Sequence, residues 1–535
     1  MSGKGGGVGL IARWLAPVLL GIVAFTLVLE ITDPFAPGLD PDALAYMGSA
    51  QSFAHHGEFR TPTARWWSAD STAALAHFPP GFATALAVPV RLGMDPMQGA
   101  RLVQALSAFI TVTTLVLLVS EAASPVAGVL LATALFVMSS MHEVHVSVLS
   151  EPLFLALLAL TLAAMLRRAD RPWIAGLIAA LATLTRYAGI SIVGAAALWS
   201  FARRGTLAAR VRNATLALLP TIVLQGLWFA RTSRLSGREP IRQLSHYGNL
   251  GATLEQGATT LVWWLVPNPD EWEEKVPHQR AAALAAGLVL LLIVAAGAWR
   301  AARAPAARDA AEPRERADGV RLLAAATLLI ACYVGVLLAS RIFADPGIPF
   351  DERILAPVML LGATIAATGI ALWWRSTPSE LPKIAVVGAL LGWCAAAASH
   401  TRNEAIWALE HGSDFTSDQW RHSDLIEWAR TDGASHPLYT NWPVMSYFYL
   451  RRPARDVPRL TETARMGEFV DSLRRHDGRV LEFTWPGIEY VSVDSLQTVP
   501  GLRVVARRAD GVVLAAVGEP TPARPPRSAP SSRPR

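Results

Sequence analysis

Charged residues are scarce in this 535-residue chain, where they make up 17% of the sequence, whereas soluble proteins typically carry about 25%. Hydrophobic residues make up 52%, which argues against a simple soluble enzyme. The formal net charge of +6 is small for this length, so nucleic-acid binding is not indicated. The two cysteines, Cys332 and Cys394, lie inside apolar runs, so no disulfide framework indicates a cellular compartment.

Long apolar runs indicate the class instead, because a helix needs about 20 mostly apolar residues to cross the hydrocarbon core. The first run follows a short basic segment, but no small-residue cleavage site comes after the run and many further spans do. An uncleaved first helix is therefore predicted. The sequence predicts a mostly α, polytopic transmembrane helical bundle of about 11 spans, which are 14–29, 102–120, 125–141, 149–166, 172–185, 187–202, 213–230, 281–299, 322–340, 354–374 and 384–400.

Basic residues occupy alternate short loops, and such residues tend to remain on the cytoplasmic side of a membrane. They run from Lys4 and Arg13 ahead of the first span to Arg375 and Lys383 between the last two. This pattern predicts a multi-pass protein of the cell inner (cytoplasmic) membrane with a cytoplasmic N-terminus. The longer segments then lie together on the extracytoplasmic side: 32–98, 231–280 and 401–535.

Apolar density divides the chain into three predicted parts. Residues 1–400 form a transmembrane domain that includes the outer loop 32–98, and residues 401–517 form a small soluble α/β domain, predicted to be extracytoplasmic. Residues 518–535 are rich in Pro, Ser and Arg, which predicts disorder. Within the segment 231–280, three tryptophans are typical of helices at the membrane interface, namely Trp263, Trp264 and Trp272.

The soluble domain has its own pattern of short elements. Two helices are predicted, near 417–431 and 464–476. Strands are predicted near 437–441, 479–484, 502–507 and 512–517.

The first outer loop holds the most informative carboxylates. Asp40 followed by Pro41 is typical of a helix start, with Asp40 as the N-cap. Asp42 falls in the first turn and shares a helix face with Tyr46, four residues later, so it can point into a cleft. The alternative is that Asp42 only complements the helix dipole.

Six short motifs follow one another along the chain: Pro41-Asp42 with Tyr46, His77-Phe78-Pro79-Pro80-Gly81, Gly99-Ala100-Arg101-Leu102, Ser150-Glu151-Pro152-Leu153-Phe154, Thr185-Arg186-Tyr187-Ala188-Gly189, and Asp351-Glu352-Arg353. In content and order they resemble the bacterial GT-C glycosyltransferases related to protein O-mannosyltransferases and to the lipid A aminoarabinose transferase. The resemblance runs from the first span through at least residue 200 and resumes at Asp351. The C-terminal domain has no motif that can be assigned.

The resemblance implies transfer of a sugar from a polyprenyl-phosphate donor to a glycan, lipid or protein acceptor at the outer membrane face, usually with inversion at the anomeric carbon. It implies that Asp42 is the catalytic general base, a role that typically contributes about 10²- to 10⁴-fold in rate. Further candidate substrate-binding residues are Tyr46, His77, Glu151, Asp351 and Glu352. For Glu151 the alternative is dipole complementation at a helix start.

Arg186 and Arg353 are the candidates for binding the donor phosphate. The leaving phosphate gains negative charge, and the guanidinium fork matches phosphate oxygens. Both arginines lie at predicted span ends on the outer side. The alternative is that each arginine only extends its charged end into the membrane interface and binds no ligand.

No metal site is predicted. His142, Glu143 and His145 are close in sequence, but a zinc site needs more ligands than this segment supplies. No cofactor is certain, and the resemblance to the GT-C enzymes leaves open a divalent ion held between carboxylates. The predicted partners are the polyprenyl-phosphate donor, membrane lipids and the acceptor.

Two other functions remain open from the sequence. A transporter or flippase of a lipid-linked sugar would also need a polytopic bundle with outward charged groups, although the paired interrupted spans typical of transporters are not seen. A non-catalytic GT-C relative acting as a scaffold is the third reading.

Overall fold

Helices dominate the computed structural model, which describes residues 6–33, 37–235, 250–265, 277–303, 312–345, 347–485 and 489–518. The mostly α prediction is confirmed. Trp272, the start of the basic N-terminal tail and the predicted disordered tail from residue 519 lie outside the described residues.

The helices alternate with short connections over most of the chain. They are α1 (Gly6–Ile31), α2 (Pro41–His56), α3 (Gly81–Arg91), α4 (Pro96–Ala122), α5 (Pro125–Val137), α6 (Ser139–Val146), α7 (Glu151–Arg167), α8 (Pro172–Thr185), α9 (Ile190–Phe201), α10 (Leu207–Leu235), α11 (Leu250–Leu265), α12 (Pro277–Arg303), α13 (Glu312–Phe343), α14 (Glu352–Ser376), α15 (Glu380–His411), α16 (Asp418–Arg421), α17 (Asp424–Arg430), α18 (Pro443–Leu450), α19 (Met466–His476) and α20 (Val493–Gln497).

The strands are short and fall near the first loop and the C-terminus. They are β1 (Arg60–Thr61), β2 (Thr63–Ala64), β3 (Ala73–Ala74), β4 (Leu438–Thr440), β5 (Ala454–Asp456), β6 (Arg479–Phe483), β7 (Leu502–Arg508) and β8 (Gly511–Ala516).

Among the described residues, six helices are long and apolar enough to cross a membrane: α1, α4, α10, α13, α14 and α15. Helices α5 and α6 together form a seventh candidate that is bent by 62°. The eleven predicted segments do fall on helices, but several of these helices are too short to count as spans by themselves, so the predicted span number is not established. The protein is a multi-pass membrane protein by these helices.

Two compact units make up the chain, and the first comprises Met1–Asp40 and Ala76–Asp414. Its core is a continuous cluster of buried apolar side chains from α1, α4, α5, α7, α8, α9, α13 and α14. Small residues let these helices approach closely, which is typical of membrane helix packing. The helix pairs α1–α4, α8–α10 and α12–α14 pack extensively.

The second unit comprises Pro41–Leu75 and Phe415–Arg535. Its six-stranded sheet has the order β2-β5-β4-β6-β8-β7, in which β2, β5, β4 and β6 are parallel and β8 runs antiparallel to both β6 and β7. The predicted C-terminal strands are all present, and the helix predicted near 417–431 is divided into α16 and α17. Strand β5 and helices α18 and α20 were not predicted.

The unit boundaries differ from the predicted domains because first-loop residues fold with the C-terminal sheet. Strand β2 pairs in parallel with β5, with Thr63 opposite Ala454. Arg65 Nη1 lies 3.0 Å from Asp456 Oδ2, and the Trp66 backbone N–H donates to Asp456 Oδ1 at 2.8 Å. Residues 41–75 therefore belong to the second unit, whereas 401–414 belong to the first because α15 continues to His411.

Candidate functional site

The candidate residues fall in both units. His77, Glu151, Arg186, Asp351, Glu352 and Arg353 belong to the first unit, and Asp42 and Tyr46 belong to the second.

Glu151 begins α7, where its carboxylate is almost fully buried, with 3% of the side chain exposed. Arg186 lies in extended backbone between α8 and the 3₁₀ turn Tyr187–Gly189. Its Nη1 is 2.5 Å from Glu151 Oε1 and donates to Ser150 Oγ at 3.0 Å. Removing one member of such a buried ion pair leaves a charge without compensation, so loss of any one of these groups should be destabilising.

Arg353 joins the same carboxylate from the first turn of α14. Its Nε lies 3.3 Å from Glu151 Oε1, and its Nη1 donates to Asp40 Oδ2 at 3.0 Å. Both predicted phosphate-binding arginines therefore contact one oxygen of Glu151. The structure brings Glu151, Arg186 and Arg353 together, and we call these residues with Asp40 the arginine cluster.

Asp40 is a member that sequence reasoning missed. The sequence suggested only a capping role, since no local pattern indicates an ion pair with a residue 313 positions away. Backbone bridges position it, because Gly38 pairs with Ser147 and Leu39 with Asp414. A Cβ on Gly38 would lie 2.6 Å from Ser147 Oγ, so this close approach requires glycine.

Asp414 is a second residue that the sequence did not indicate. Ser147 Oγ donates to its Oδ2 at 3.1 Å. Burial raises the pKa of the Asp414 carboxyl, the Ser147 hydrogen bond opposes this rise, and repulsion from Asp40 adds to it. Asp414 thus places a third carboxyl in the electrostatic environment of Asp40 and Arg353.

The remaining candidates of the first unit have other contacts. Asp351 is the N-cap of α14, with Oδ1 accepting from the Ile354 N–H at 2.8 Å, so it stabilises the helix that presents Arg353. Glu352 shares a side-chain hydrogen bond with Glu143 of α6. His77 is exposed, and its ring packs edge-on against Phe78 with 4.8 Å between centroids.

In the second unit, α2 begins at Pro41, as predicted from the Asp40-Pro41 pair. Asp42 is half-buried in the first turn, and Tyr46 is buried one turn later. Helix α18 packs against α2, where Tyr447 Oη donates to Gln51 Oε1 at 2.6 Å. The predicted helix is confirmed, whereas the role of Asp42 stays a prediction.

Two of the motifs supply scaffold contacts. Gly81 of the His-Phe-Pro-Pro-Gly motif begins α3 against the end of α8, where an added Cβ would lie 2.6 Å from the Leu184 carbonyl oxygen. Arg101 donates to the Leu29 carbonyl at 2.8 Å and to Thr32 Oγ1 at 3.1 Å. These contacts fix the end of α8, next to Arg186, and tie α4 to the end of α1.

Among the described residues, no group of three or more His, Cys, Asp or Glu side chains is arranged to hold a metal ion. His145 Nδ1 lies 2.7 Å from the Met141 carbonyl, within its own helix. The cluster presents two guanidinium groups, which are positioned by carboxylates. Fixed cations of this kind stabilise negative charge that develops on a phosphate.

No family model and no curated protein matches the sequence. Among solved structures, apo ArnT from Cupriavidus metallidurans is similar at 16% identity and a TM-score of 0.48, over 94% of this chain and 97% of ArnT. ArnT bound to undecaprenyl phosphate has the same identity and TM-score, over 97% of this chain and all of that one.

The mycobacterial arabinofuranosyltransferase AftD is 15% identical with a TM-score of 0.53. The similarity covers 95% of this chain but 41% of AftD. At this level of identity the likeness concerns the fold. This chain therefore shares the fold of the AftD structure.

Proposed function

We propose that this protein is a glycosyltransferase that moves a sugar from a polyprenyl-phosphate donor to an acceptor at the outer face of the cytoplasmic membrane. The observation that carries the proposal is the arginine cluster, in which Arg186 and Arg353 contact the same buried carboxylate, Glu151. The GT-C fold supports it. The basic loops support a cytoplasmic N-terminus and an extracytoplasmic C-terminal unit.

Arg186 and Arg353 bind the donor phosphate in this proposal. When the bond between the anomeric carbon and the phosphate oxygen breaks, its electron pair goes to that oxygen, and the guanidinium groups stabilise the new charge. Glu151 contacts both guanidinium groups and so fixes their separation. A lysine at either position would lack the fork geometry that orients a phosphate.

Asp42 is the proposed general base. It takes the proton of an acceptor hydroxyl while that oxygen attacks the anomeric carbon, on the side opposite the leaving phosphate, so the configuration inverts. Asp40 forms an ion pair with Arg353, so in this proposal it is a positioning residue.

Tyr46, His77, Glu151, Asp351 and Glu352 are the proposed substrate-binding residues. For Asp351 and Glu151 the contacts described above indicate an indirect action, through α14 and through the arginines. A divalent ion is not part of the mechanism proposed here. Unchanged transfer in the presence of EDTA is the expected outcome.

The test is transfer of radiolabelled sugar from a polyprenyl-phosphate donor by the purified chain in lipid vesicles. Asp42→Asn should lower kcat by about 10²- to 10⁴-fold and leave donor binding intact. Asp70→Asn is the matched control, because Asp70 lies in the same loop with 76% of its side chain exposed. Asp40→Asn should instead raise KM for the donor.

Arg353→Ala should mainly weaken donor binding. Near wild-type turnover by Asp42→Asn would show that the base assignment is wrong. Absence of transfer together with movement of a lipid-linked sugar across the vesicle membrane would favour the flippase reading. Absence of both would favour a non-catalytic relative.

A further inference from the structure

Hydrogen bonds from two neighbouring helices hold the backbone on both sides of Arg353, at the start of α14. Tyr333 of α13 donates its hydroxyl to the Ile354 carbonyl at 2.8 Å. Thr260 of α11 donates to the Phe350 carbonyl at 2.6 Å. One acceptor directly follows Arg353, and the other precedes it by three residues. Both contacts act on backbone atoms, so they constrain where the chain presents the guanidinium group.

The first turn of α14 depends on such contacts more than a regular helix would. Pro357 has no backbone N–H, so the helical hydrogen bond that this position normally makes to the first turn cannot form. Asp351 caps the turn through its own side chain, which stabilises it locally. A bond from a different helix is needed to fix the turn relative to its surroundings, and Tyr333 supplies one.

Tyr333 also packs against the helix that carries Glu151. It belongs to the apolar core of the first unit and is 3% exposed. The centroid of its ring lies 6.2 Å from that of Phe154, which follows Glu151 by three residues on α7. Tyr333 therefore packs against both α7 and α14, the helices whose relative position sets the 3.3 Å distance between Glu151 Oε1 and Arg353 Nε.

A buried tyrosine hydroxyl usually has a hydrogen-bond partner, so stability alone could explain the bond from Tyr333. The position of the acceptor favours a further role. Buried hydroxyls such as those of Thr111 and Thr161 donate within their own helices, whereas the Tyr333 hydroxyl bonds the residue next to Arg353. Hydrogen bonds between a guanidinium group and a phosphate are short, about 2.7–2.9 Å, so a small shift of this backbone would weaken them.

We propose that Tyr333 is a positioning residue for the donor, which acts through the backbone of α14 to place Arg353 against the phosphate. Thr260 acts in the same way from α11. Each hydroxyl donates to a backbone carbonyl, so each acts through Arg353 and not by contact with the phosphate. The inference rests on the proposed function, because it requires that Arg353 binds the donor phosphate.

Native mass spectrometry of the full chain in detergent tests the proposal, with undecaprenyl phosphate and undecaprenol as probes. The two lipids share a prenyl chain and differ in the phosphate, so comparing their Kd values isolates the phosphate contacts. Tyr333→Phe should raise the Kd for undecaprenyl phosphate about 2- to 10-fold, as expected for loss of one hydrogen bond, and leave that for undecaprenol unchanged. Thr260→Val should shift the two Kd values in the same way.

A double-mutant cycle shows whether the tyrosine acts through the arginine. Arg353→Ala should raise the Kd for undecaprenyl phosphate more than Tyr333→Phe does, and adding Tyr333→Phe to it should have no further effect. Tyr449→Phe is the matched control, because it removes a hydroxyl that donates to the Phe415 carbonyl at 2.9 Å in the second unit. It should bind undecaprenyl phosphate as wild type does.

Unchanged binding of undecaprenyl phosphate by Tyr333→Phe would overturn the proposal. So would an equal loss with and without Arg353, or weaker binding of both lipids, because the hydroxyl would then only support the fold. Absence of undecaprenyl phosphate binding by the wild type would overturn it as well. Sugar transfer by the same preparations reports separately on the proposed function, which alone fails if the wild type binds the phosphate with this dependence on Tyr333 but transfers no sugar.

Discussion

Glu151 in the first unit and Glu482 in the second are buried to nearly the same extent, with 3% and 1% exposed. Their partners differ completely. Glu151 Oε1 lies within ion-pair distance of two guanidinium groups, whereas Glu482 has no ion pair among the described residues. Burial therefore does not define the role of an acid. The charged groups around an acid distinguish the two cases, because Glu151 has two cationic neighbours.

Asp456 is an intermediate case. Its carboxylate is 8% exposed, forms an ion pair with Arg65 and accepts a hydrogen bond from the Trp66 backbone N–H. The three acids form a series of decreasing compensation. Substitutions along this series should lower the free energy of unfolding by decreasing amounts, and the last one should leave it unchanged or raise it slightly.

Glu151→Leu should give the largest effect. It leaves Arg186 and Arg353 without their common partner, and breaking a buried ion pair typically costs about 3–5 kcal/mol. Unfolding of the purified chain in mixed micelles measures the loss. The double variant Glu151→Leu with Arg186→Leu should recover part of it, and a loss below about 1 kcal/mol would show that the pair behaves like an exposed one.

Gly38→Ala should disturb the same cluster without changing a charged group. The new Cβ would meet Ser147 Oγ at 2.6 Å and Asp414 Oδ2 at 3.0 Å, and overpacking typically costs about 1–3 kcal/mol. We expect a lower free energy of unfolding and a higher donor KM, because Asp40 is displaced from Arg353. Gly226→Ala is the matched control, since open space surrounds that glycine. An unaltered donor KM in Gly38→Ala would contradict the role of Gly38 in positioning Asp40 against Arg353.

Asp456 should make the docking of residues 63–69 depend on pH. Burial raises the pKa of Asp456 from 3.8 to about 6, against the opposing effects of Arg65 and the Trp66 N–H. The folded state then holds its proton more tightly than the unfolded state, so this contribution to stability falls as pH rises from about 4 to about 6.

Hydrogen exchange of residues 63–69 in the full chain measures this dependence. Protection, corrected for intrinsic exchange rates, should decrease across that pH window in wild-type protein and stay level in Asp456→Asn. Protection that increases with pH would show that the ion pair with Arg65 outweighs burial.

Glu482→Leu should have the smallest effect and the opposite sign. Replacing an orphaned buried carboxyl by an apolar side chain removes a desolvation penalty of about 1–3 kcal/mol, offset by imperfect packing of the new side chain. The free energy of unfolding should remain equal to wild type or increase slightly. A decrease as large as that of Glu151→Leu would mean that Glu482 has a stabilising partner, and the comparison would fail.

Local sequence patterns predicted much of the fold. The segment 172–185 is helix α8 with the predicted bounds, because an apolar run lies between Pro172 and Arg186. The strand predicted at 479–484 is β6. Apolar periodicity and its charged boundaries are local properties, so one sequence is enough to recognise them.

The missed features depend on residues distant in sequence. Strand β5 was not predicted because its residues Arg455 and Asp456 are polar. They are buried in the structure by partners near residue 66, which the local sequence does not reveal. The pairing of Asp40 with Arg353 spans most of the chain. For the site, the arginines and Glu151 were predicted individually, but their sharing of one carboxylate oxygen follows from how α7, α8 and α14 pack.

The second unit is assembled from the two ends of the chain, and this arrangement has a consequence during synthesis. The backbone N–H of Trp66 bonds a residue 390 positions later. At a translation rate of about 5–20 residues per second, the early segment waits on the order of 20–80 s for its neighbours. Until β5 is made, the residues of β2 lack their partner strand, so this part of the second unit is expected to form only after most of the chain has been synthesised.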